Sequence, residues 1–327
     1  MTVTPEFLTG LLARWGVAPD AVWPTERGTN NRTFAVVQGG RRWALRISEN
    51  LSAAQVRAEH RLLGRLRRAG LPFAVPEPVP SLDGDTLAET PAGSATLCHW
   101  LPGARLDLAG EPAMERFGRA MGLLGEALRD VPPDDAPHDW RGSWRVHPDV
   151  PDRDDLCREL RAAGVSPDQV TLLETAATRV EAWRSRVGGG LPVQVVHGDL
   201  GSSNLLADER TITAVLDFEI AGADFRVQDL VAALLNSGAL DGPAWPRRTA
   251  ALTRGHASAR RLNSAETQAV RDLLLMRAVG SVLWRAGRWR RQQAQLGDVT
   301  DRLRKLDATS RWLATSSDQL LPLLSQP

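Results

Sequence analysis

The chain has 327 residues, with 43% apolar and 24% charged side chains and a formal net charge of +1. A chain of this length is too long to fold around one small hydrophobic core, so we expect two lobes or domains. The near-neutral charge excludes a general attraction to nucleic acid or to anionic membranes. No apolar run reaches the roughly 18 residues of a membrane-spanning helix, and the opening MTVTPEFLTG lacks a secretory signal pattern, so we expect a cytoplasmic protein. Cys98 and Cys157 have neither zinc-site spacing nor the number for a disulfide framework.

The first hundred residues predict a β-rich region with one long helix. Residues 5–15 have the apolar spacing of a short helix, and residues 29–48 alternate around Gly39 and Gly40 as in a β-hairpin. Residues 52–68 predict a helix that opens with a serine cap. A proline-rich stretch with a few short strands follows.

Helical patterns dominate after residue 112. The predicted helices cover residues 112–129, 168–186, 265–291 and 299–325. Segments that read as strands in this half are PVQVVHGD, NLLAD and TITAVLDFE, and the proline- and aspartate-rich residues 131–155 predict a loop. A β-rich part followed by a larger helical part with a short β insert predicts an α+β fold, and this layout is similar to that of a two-lobed kinase.

The stretch VVHGDLGSSNLLADERTITAVLDFEIAG places Asp199, Asn204 and Asp217 on turns between strand-like segments. Phosphoryl transfer from a nucleotide needs Mg²⁺ and a carboxylate beside the accepting hydroxyl. Magnesium prefers hard oxygen ligands and takes only a few of them from protein. A hairpin between Asn204 and Asp217 would bring the two turns together, so the three residues predict a phosphotransferase site. The alternative is two ordinary strand-end aspartates and a turn asparagine.

The pattern H-G-D at residues 197–199, Asn204 and D-F-E at residues 217–219 resembles the catalytic signature of the aminoglycoside phosphotransferase/choline kinase-like family. The resemblance implies a bilobal protein-kinase-like fold with a small β-rich N-terminal lobe and a larger, mostly helical C-terminal lobe. It also implies that Asp199 is the catalytic carboxylate and that Asn204 and Asp217 hold Mg²⁺.

Residues around this motif extend the resemblance. Downstream, AGADFRVQDL is similar to the family's acidic segment, with Asp224 and Asp229 in the two acidic positions. The resemblance implies that His197 and Asp229 support the loops by hydrogen bonds. Gly201 stands where protein kinases usually carry a lysine, which favours a small-molecule hydroxyl as the acceptor.

The nucleotide is expected to meet the strand RRWALRIS. Strand alternation puts Ala44 and Arg46 on one face, similar to the alanine and lysine of the kinase V-A-I-K strand. Lys305 is the only lysine among 40 basic side chains, so an arginine is the expected phosphate-binding cation. The resemblance implies that Glu59 pairs with Arg46, although surface glutamates are common on helices. It also places Gly28 and Asn31 in a nucleotide-binding loop.

The segment TLCHWLPG resembles the connection between the lobes in this family. The resemblance implies backbone contacts to the base, for which the Cys98 carbonyl and the Trp100 amide are our candidates. We therefore divide the chain into a nucleotide-binding lobe at residues 1–97, a connecting segment at residues 98–103, and a catalytic and substrate-binding lobe at residues 104–327.

The acceptor is less well defined than the nucleotide. An arginine- and tryptophan-rich helix at residues 280–291 would suit an anionic alcohol, whereas acidic stretches at residues 132–139 and 151–155 would suit a cationic aminoglycoside; a packed stripe and solvated loops are the alternatives. The segments GTNNRTF and GSATLCHWLPG resemble type II homoserine kinases, and RVQDL resembles stress-response protein kinases.

Together these features predict an ATP- and Mg²⁺-dependent phosphotransferase that moves the γ-phosphate to a hydroxyl of a small molecule. The expected acceptor is an amino alcohol, a hydroxy amino acid or an aminoglycoside-type antibiotic, and neither nucleic acid nor membrane is an expected partner. The alternatives are a protein Ser/Thr kinase of the same fold and a nucleotide-binding module without catalytic activity.

Overall fold

A computed structural model describes residues 3–25, 31–141, 147–187 and 190–325. The helices are α1 (Pro5–Leu12), α2 (Ala53–Arg68), α3 (Glu111–Ala127), α4 (Arg153–Ala162), α5 (Pro167–Val187), α6 (Gln228–Asn236), α7 (Trp245–Ala257), α8 (Ser264–Arg290) and α9 (Leu296–Leu324). The strands are β1 (Ala21–Pro24), β2 (Asn31–Gln38), β3 (Arg41–Ser48), β4 (Ala88–Thr90), β5 (Gly93–His99), β6 (Ala104–Arg105), β7 (His138–Asp139), β8 (Val193–Val196), β9 (Leu205–Ala207), β10 (Ile212–Val215) and β11 (Gly222–Phe225).

The chain forms two compact units, and each draws on separate stretches of sequence. The first comprises Met1–Asp107, Leu123–Asp139 and Gln194–Ala223. The second comprises Leu108–Gly122, Trp140–Val193 and Asp224–Pro327. The division into residues 1–97, 98–103 and 104–327 made from the sequence stays a prediction.

The first unit contains a five-stranded antiparallel sheet in the order β1-β2-β3-β5-β4. The β2–β3 hairpin turns at Gly39 and Gly40, whose φ angles of 56° and 76° are left-handed values that glycine adopts without strain. The hairpin predicted from this glycine pair is therefore confirmed. An apolar core joins the sheet to α1, and its members include Leu8, Leu11, Leu12, Trp15, Phe34, Val36, Leu45, Ile47 and Leu97.

Helix α2 begins with a reciprocal cap. The Ser52 hydroxyl accepts a hydrogen bond from the Gln55 amide at 3.3 Å, and the Gln55 side chain accepts one from the Ser52 amide at 3.0 Å. Its buried side chains include Val56, Leu62, Leu63 and Leu66, together with the polar residues Glu59 and His60. The cap fixes where the helix starts, and the helix predicted over residues 52–68 is confirmed.

The strands outside this five-stranded sheet are short. Strands β10, β9 and β6 form an antiparallel sheet in that order. Residues of β7, β11 and β8 form another sheet, in which Gly222 lies opposite His138 in a parallel pair. These small sheets hold the turns on which the candidate site residues lie.

Helices make up most of the second unit. Glycines allow α3 and α7 to approach closely, because a Cβ at Gly118 would lie 1.9 Å from the Leu252 carbonyl oxygen and one at Gly255 would lie 2.1 Å from that of Glu115. Long helices α8 and α9 contact each other, and Asn263 caps α8 by accepting from the Glu266 amide at 2.9 Å. None of the described helices has the length and apolarity needed to cross a membrane.

The predicted fold class is confirmed: the protein is α+β, with a β-rich N-terminal region and a larger, mostly helical C-terminal region. The loop predicted at residues 131–155 is wrong in part, because it contains β7 and the start of α4. Asp152 caps α4 by accepting from the amides of Asp154 and Asp155 at 2.7 and 3.1 Å. Aspartates that read as loop residues thus begin a helix.

Candidate active site

Pairing between β9 and β10 brings the two predicted catalytic turns together. Leu205 lies opposite Val215 in this antiparallel pair, and the Leu216 amide donates to the Asn204 carbonyl at 2.9 Å. The turn that follows β8 is therefore held against the turn that follows β10. Both turns belong to the first unit.

His197 joins the same turns through its ring. Its imidazole is fully buried, with Nε2 at 2.8 Å from the Leu216 carbonyl oxygen and Nδ1 at 3.2 Å from the Asp199 amide nitrogen. Because a carbonyl only accepts and an amide only donates, Nε2 carries the proton and Nδ1 accepts. The ring also lies 4.6 Å from the ring of Phe218. The histidine thus fixes the backbone of both turns without a charge.

Asn204 is buried and its side chain is oriented by Asp199. The Asn204 Nδ2 donates to the Asp199 carbonyl oxygen at 2.8 Å and lies 3.5 Å from the Asp199 Oδ2. This contact assigns the amide nitrogen, so the amide oxygen of Asn204 is the atom available as a hard ligand. Asp199 itself is half-buried.

Asp217 adopts a left-handed backbone conformation with φ of 66°. Among residues other than glycine, aspartate and asparagine tolerate this region best. Burial raises the pKa of Asp217 well above its ordinary value, and the nearby carboxylates of Glu219 and Asp199 raise it further, while Arg46 opposes them. Several acidic groups therefore converge here with too little positive charge.

This donor set fits a magnesium ion. The asparagine and aspartate oxygens are hard ligands, and a divalent cation would offset the repulsion among the carboxylates. Among the described residues, no group of three or more His, Cys, Asp or Glu side chains is arranged to hold a metal by itself. The ion would therefore depend on Asn204, Asp217 and oxygens from outside the protein, as Mg²⁺ bound with a nucleotide does.

Arg46 and Glu59 form a two-pronged ion pair. The Arg46 Nη1 lies 2.8 Å from the Glu59 Oε1, and its Nη2 contacts the Glu59 Oε2. The glutamate side chain is only 1% exposed and the arginine side chain 18% exposed. Burial alone would lower the pKa of Arg46, but Glu59, with Glu219 and Asp217, outweighs it and raises the pKa. The guanidinium is thus fixed as a cation within reach of the acidic turn.

Glu219 is a residue that the sequence interpretation quoted but did not assign to the site. It is 3% exposed, and its Oε2 accepts from the Asn31 Nδ2 at 2.5 Å. The Asn31 Oδ1 is buried and has no hydrogen-bond partner in the part of the chain that the structure describes. The third letter of the D-F-E turn was the signal that could have identified this residue. Gly28, also predicted to bind nucleotide, lies outside the described residues.

The other predicted nucleotide contacts lie on neighbouring strands. Ala44 on β3 lies opposite Cys98 on β5, and burial raises the pKa of the Cys98 thiol to about 12, so it is not a thiolate at neutral pH. The Trp100 amide donates to the Arg42 carbonyl at 3.2 Å. A contact between this amide and a base would therefore require the hydrogen bond to be shared or broken.

Asp229 belongs to the second unit, in the first turn of α6, where it is 5% exposed. The structure thus places this predicted support residue in a different unit from His197. In the helix at residues 280–291, Trp284 packs against His147 and Trp140 with ring centroids 5.0 and 6.4 Å apart. At least this tryptophan is a packing residue.

The chain is similar to several known proteins. The profile of the phosphotransferase enzyme family matches residues 23–273. A homoserine kinase from Methylorubrum populi is 27% identical over 271 residues, which cover 80% of this chain and 78% of that protein. An uncharacterised protein from Deinococcus radiodurans is 29% identical over 238 residues, which cover 70% of this chain and 66%, just under two thirds, of that protein.

Solved structures share the fold at low sequence identity. A microcompartment-associated aminopropanol kinase superposes with a TM-score of 0.73 at 19% identity, covering 98% of this chain and 100% of that one. An amicoumacin kinase in complex with AMP-PNP and Ca²⁺ gives a TM-score of 0.71 at 16% identity, covering 95% of this chain and 93% of that one. The predicted family resemblance and the prediction of a phosphotransferase are confirmed, and the chain belongs to the phosphotransferase enzyme family.

Proposed function

We propose that this protein transfers the γ-phosphate of ATP, with Mg²⁺, to a hydroxyl of a small molecule. The observation that carries the proposal is the hydrogen-bonded frame in which His197 holds the turn of Asp199 against the turn of Asp217. A phosphotransferase needs a carboxylate and a metal site side by side, because its chemistry depends on positioning and on charge stabilisation. A nucleotide-binding module without catalysis would not need Asp199 in this frame.

The contacts of these residues support the following roles. Asp199 orients the acceptor hydroxyl and takes its proton, while Asn204 and Asp217 contribute the ligand oxygens for Mg²⁺. When bound, this ion neutralises charge on the phosphates. Arg46, held by Glu59, contacts the phosphates as a fixed cation, since its planar guanidinium suits phosphate oxygens. Asn31, Gly28, Ala44 and the backbone of Cys98 and Trp100 remain our proposed nucleotide contacts.

For the acceptor we propose an amino alcohol or a hydroxy amino acid. Similarity to a homoserine kinase supports this choice. The acidic stretches that would attract a cationic aminoglycoside are largely engaged within the protein. Asp135 pairs with Arg61 at 2.9 Å and with Arg65 at 2.5 Å, and Asp155 pairs with Arg158. Their charge is therefore offset before any substrate arrives.

A coupled assay of nucleoside diphosphate release tests the proposal. Purified protein is given ATP or GTP with Mg²⁺ and, in turn, homoserine, 1-amino-2-propanol, choline, kanamycin and a generic protein substrate. We expect turnover with a small amino alcohol or hydroxy amino acid, and loss of this turnover with EDTA. Turnover of the protein substrate alone would favour a protein Ser/Thr kinase, and nucleotide binding without any turnover would favour the non-catalytic module.

A further inference from the structure

Helix α2 is fastened to a short segment that the catalytic interpretation does not use. On this segment, Asp135 accepts from the Arg61 Nε at 2.9 Å and from the Arg65 Nε at 2.5 Å, while the Asp134 carbonyl accepts from the Arg61 Nη2 at 2.9 Å. Arg61 and Arg65 are one helical turn apart, so one carboxylate bridges them. We call residues 134–138 the α2 brace.

The brace also reaches the turn that carries Asp217. The His138 Nε2 lies 3.1 Å from the Glu219 carbonyl oxygen, and its Nδ1 lies 3.4 Å from the Gln55 Nε2 on α2. The same Gln55 nitrogen donates to the Pro137 carbonyl at 3.3 Å. Because the carbonyl only accepts, Nε2 carries the proton and Nδ1 accepts from Gln55. One imidazole thus contacts both the helix and the turn.

Backbone contacts fix the brace on the turn side. The His138 amide donates to the Ala221 carbonyl at 3.2 Å, and His138 pairs with Gly222 between β7 and β11. All of these residues lie in the first unit. The brace therefore connects α2, which carries Glu59, to residues 217–222, which carry Asp217 and Glu219.

We propose that Asp135 and His138 are positioning residues, which hold α2 where Glu59 meets Arg46 and tie that position to the Asp217 turn. The inference rests on the proposed function, in which Arg46 contacts the phosphates and Asp217 binds the metal. A displacement of α2 draws Glu59 away from Arg46, and the same displacement loosens the turn through Gln55 and His138. Nucleotide affinity and metal dependence then change together.

Hydrogen exchange on the protein without nucleotide tests the physical link. Asp135→Asn and His138→Leu should each accelerate amide exchange both in residues 53–68 and in residues 215–221. Arg57→Gln is the matched control, because Arg57 lies on the same helix and the substitution breaks its 2.7 Å ion pair with Asp85 without touching the brace. It should leave residues 215–221 at the wild-type rate. Faster exchange in α2 alone, with residues 215–221 unchanged in both brace variants, would overturn the proposal.

Nucleotide binding tests the consequence for function. With AMP-PNP and Mg²⁺, His138→Leu should weaken binding about fivefold, the effect of losing a hydrogen bond of ordinary strength, and His138→Gln should restore it to within about twofold. Gln can donate to Glu219 and accept from Gln55, whereas Leu cannot. Gln55→Leu and His138→Leu should be non-additive, because they break the same contact.

The outcomes separate the two proposals. If His138→Gln binds as weakly as His138→Leu, or if the double variant is strictly additive, the positioning role is contradicted. If the wild-type protein binds no nucleotide with Mg²⁺, the proposed function fails instead, and the exchange experiment still decides whether the brace links α2 to the turn.

Discussion

Two arginine–glutamate pairs of the same design occur in the two units. Arg46 meets Glu59 in the first unit, and Arg226 meets Glu266 in the second; both pairs are two-pronged. The glutamate side chains are 1% and 0% exposed and the arginine side chains 18% and 23% exposed. Geometry and burial therefore do not distinguish the pairs.

Their surroundings do distinguish them. Glu266 also accepts from the Asn263 amide at 2.9 Å and so completes the cap of α8, which makes its pair part of a helix start. Arg46 instead lies near two further acids. Burial and Glu59 have the largest effects on its pKa, and Glu219 and Asp217 raise that pKa in addition. A buried ion pair is thus weak support for a binding role on its own, and the uncompensated charge around it is the better indicator.

The largest effect is expected at Asp199. A variant of this residue would separate the catalytic step from the contributions of the two arginine–glutamate pairs. Asp199→Ala should reduce turnover about a thousandfold, because it removes the residue that we propose as the proton acceptor. Nucleotide affinity should remain, since neither ion pair is touched. Steady-state rates and calorimetry with AMP-PNP measure the two quantities. A variant with near-normal turnover would remove Asp199 from the mechanism.

Asp217 should give the next largest effect and tests the acidic surroundings of Arg46 directly. We expect Asp217→Asn to weaken Mg²⁺-dependent ATP binding about a hundredfold. Each factor of ten in Kd corresponds to about 1.4 kcal/mol of binding free energy. Asparagine keeps the left-handed backbone at low cost, so folding should be retained. Calorimetry with and without Mg²⁺ measures the effect. Equal affinity for wild type and variant in Mg²⁺ would place the metal elsewhere.

Matched truncations of the arginines test the comparison itself. Arg46→Ala and Arg226→Ala each leave a buried glutamate without its partner, so each should lower the free energy of unfolding by about 3 kcal/mol. Only Arg46→Ala should also weaken ATP binding, by about tenfold or more, because it removes the charged hydrogen bonds to phosphate that we propose. Urea denaturation and nucleotide titration provide the readouts. If Arg46→Ala bound ATP as tightly as the wild type, the two pairs would not differ in function and the comparison would be wrong.

A buried histidine lies near each arginine–glutamate pair, and its protonation should give the smallest of the expected effects, a loss of stability at low pH. Burial lowers the pKa values of His60 and His256 to about 4. As pH falls below about 6.5, the unfolded chain takes up protons that the folded protein does not, so stability is lost between about pH 6.5 and about pH 4. From about pH 7 to about pH 5.5, each histidine should cost about 1 kcal/mol of unfolding free energy.

Urea denaturation at the two pH values checks this prediction in wild type and in His256→Gln. The variant should lose part of the pH dependence, since glutamine does not titrate. A pH dependence identical to wild type would show that His256 is not held neutral by burial.

The sequence predicted those parts of the fold that local residues determine. A glycine pair set the β2–β3 turn, and Ser52 with Gln55 set the start of α2. Strand β11 was missed because GADF has little strand propensity and owes its conformation to pairing with residues 138–139. For the same reason His138 carried no local signal, since its partners are 81 and 83 positions away in sequence.

The geometry of the candidate site was predictable where a single motif carries the residues, and it was less predictable where the residues come from separate motifs. The spacing predicted that the turns of Asn204 and Asp217 meet, because a single hairpin joins them, and Asp199 precedes Asn204 by only five residues. The hydrogen bond between Asn31 and Glu219 spans 188 positions, and the geometry of Arg46 with Glu59 depends on how α2 lies on the sheet. Such contacts are set by tertiary packing, which local patterns do not encode.

The arginine at position 46 also affects which chemical reagents can label this enzyme. Reagents that acylate primary amines, including nucleotide analogues built to tag the phosphate-contact lysine of kinases, find no amine at Arg46. Lys305, exposed on α9, is the only lysine side chain they can modify. The protein should therefore be missed by lysine-directed kinase profiling, because the phosphate contact that we propose is an arginine.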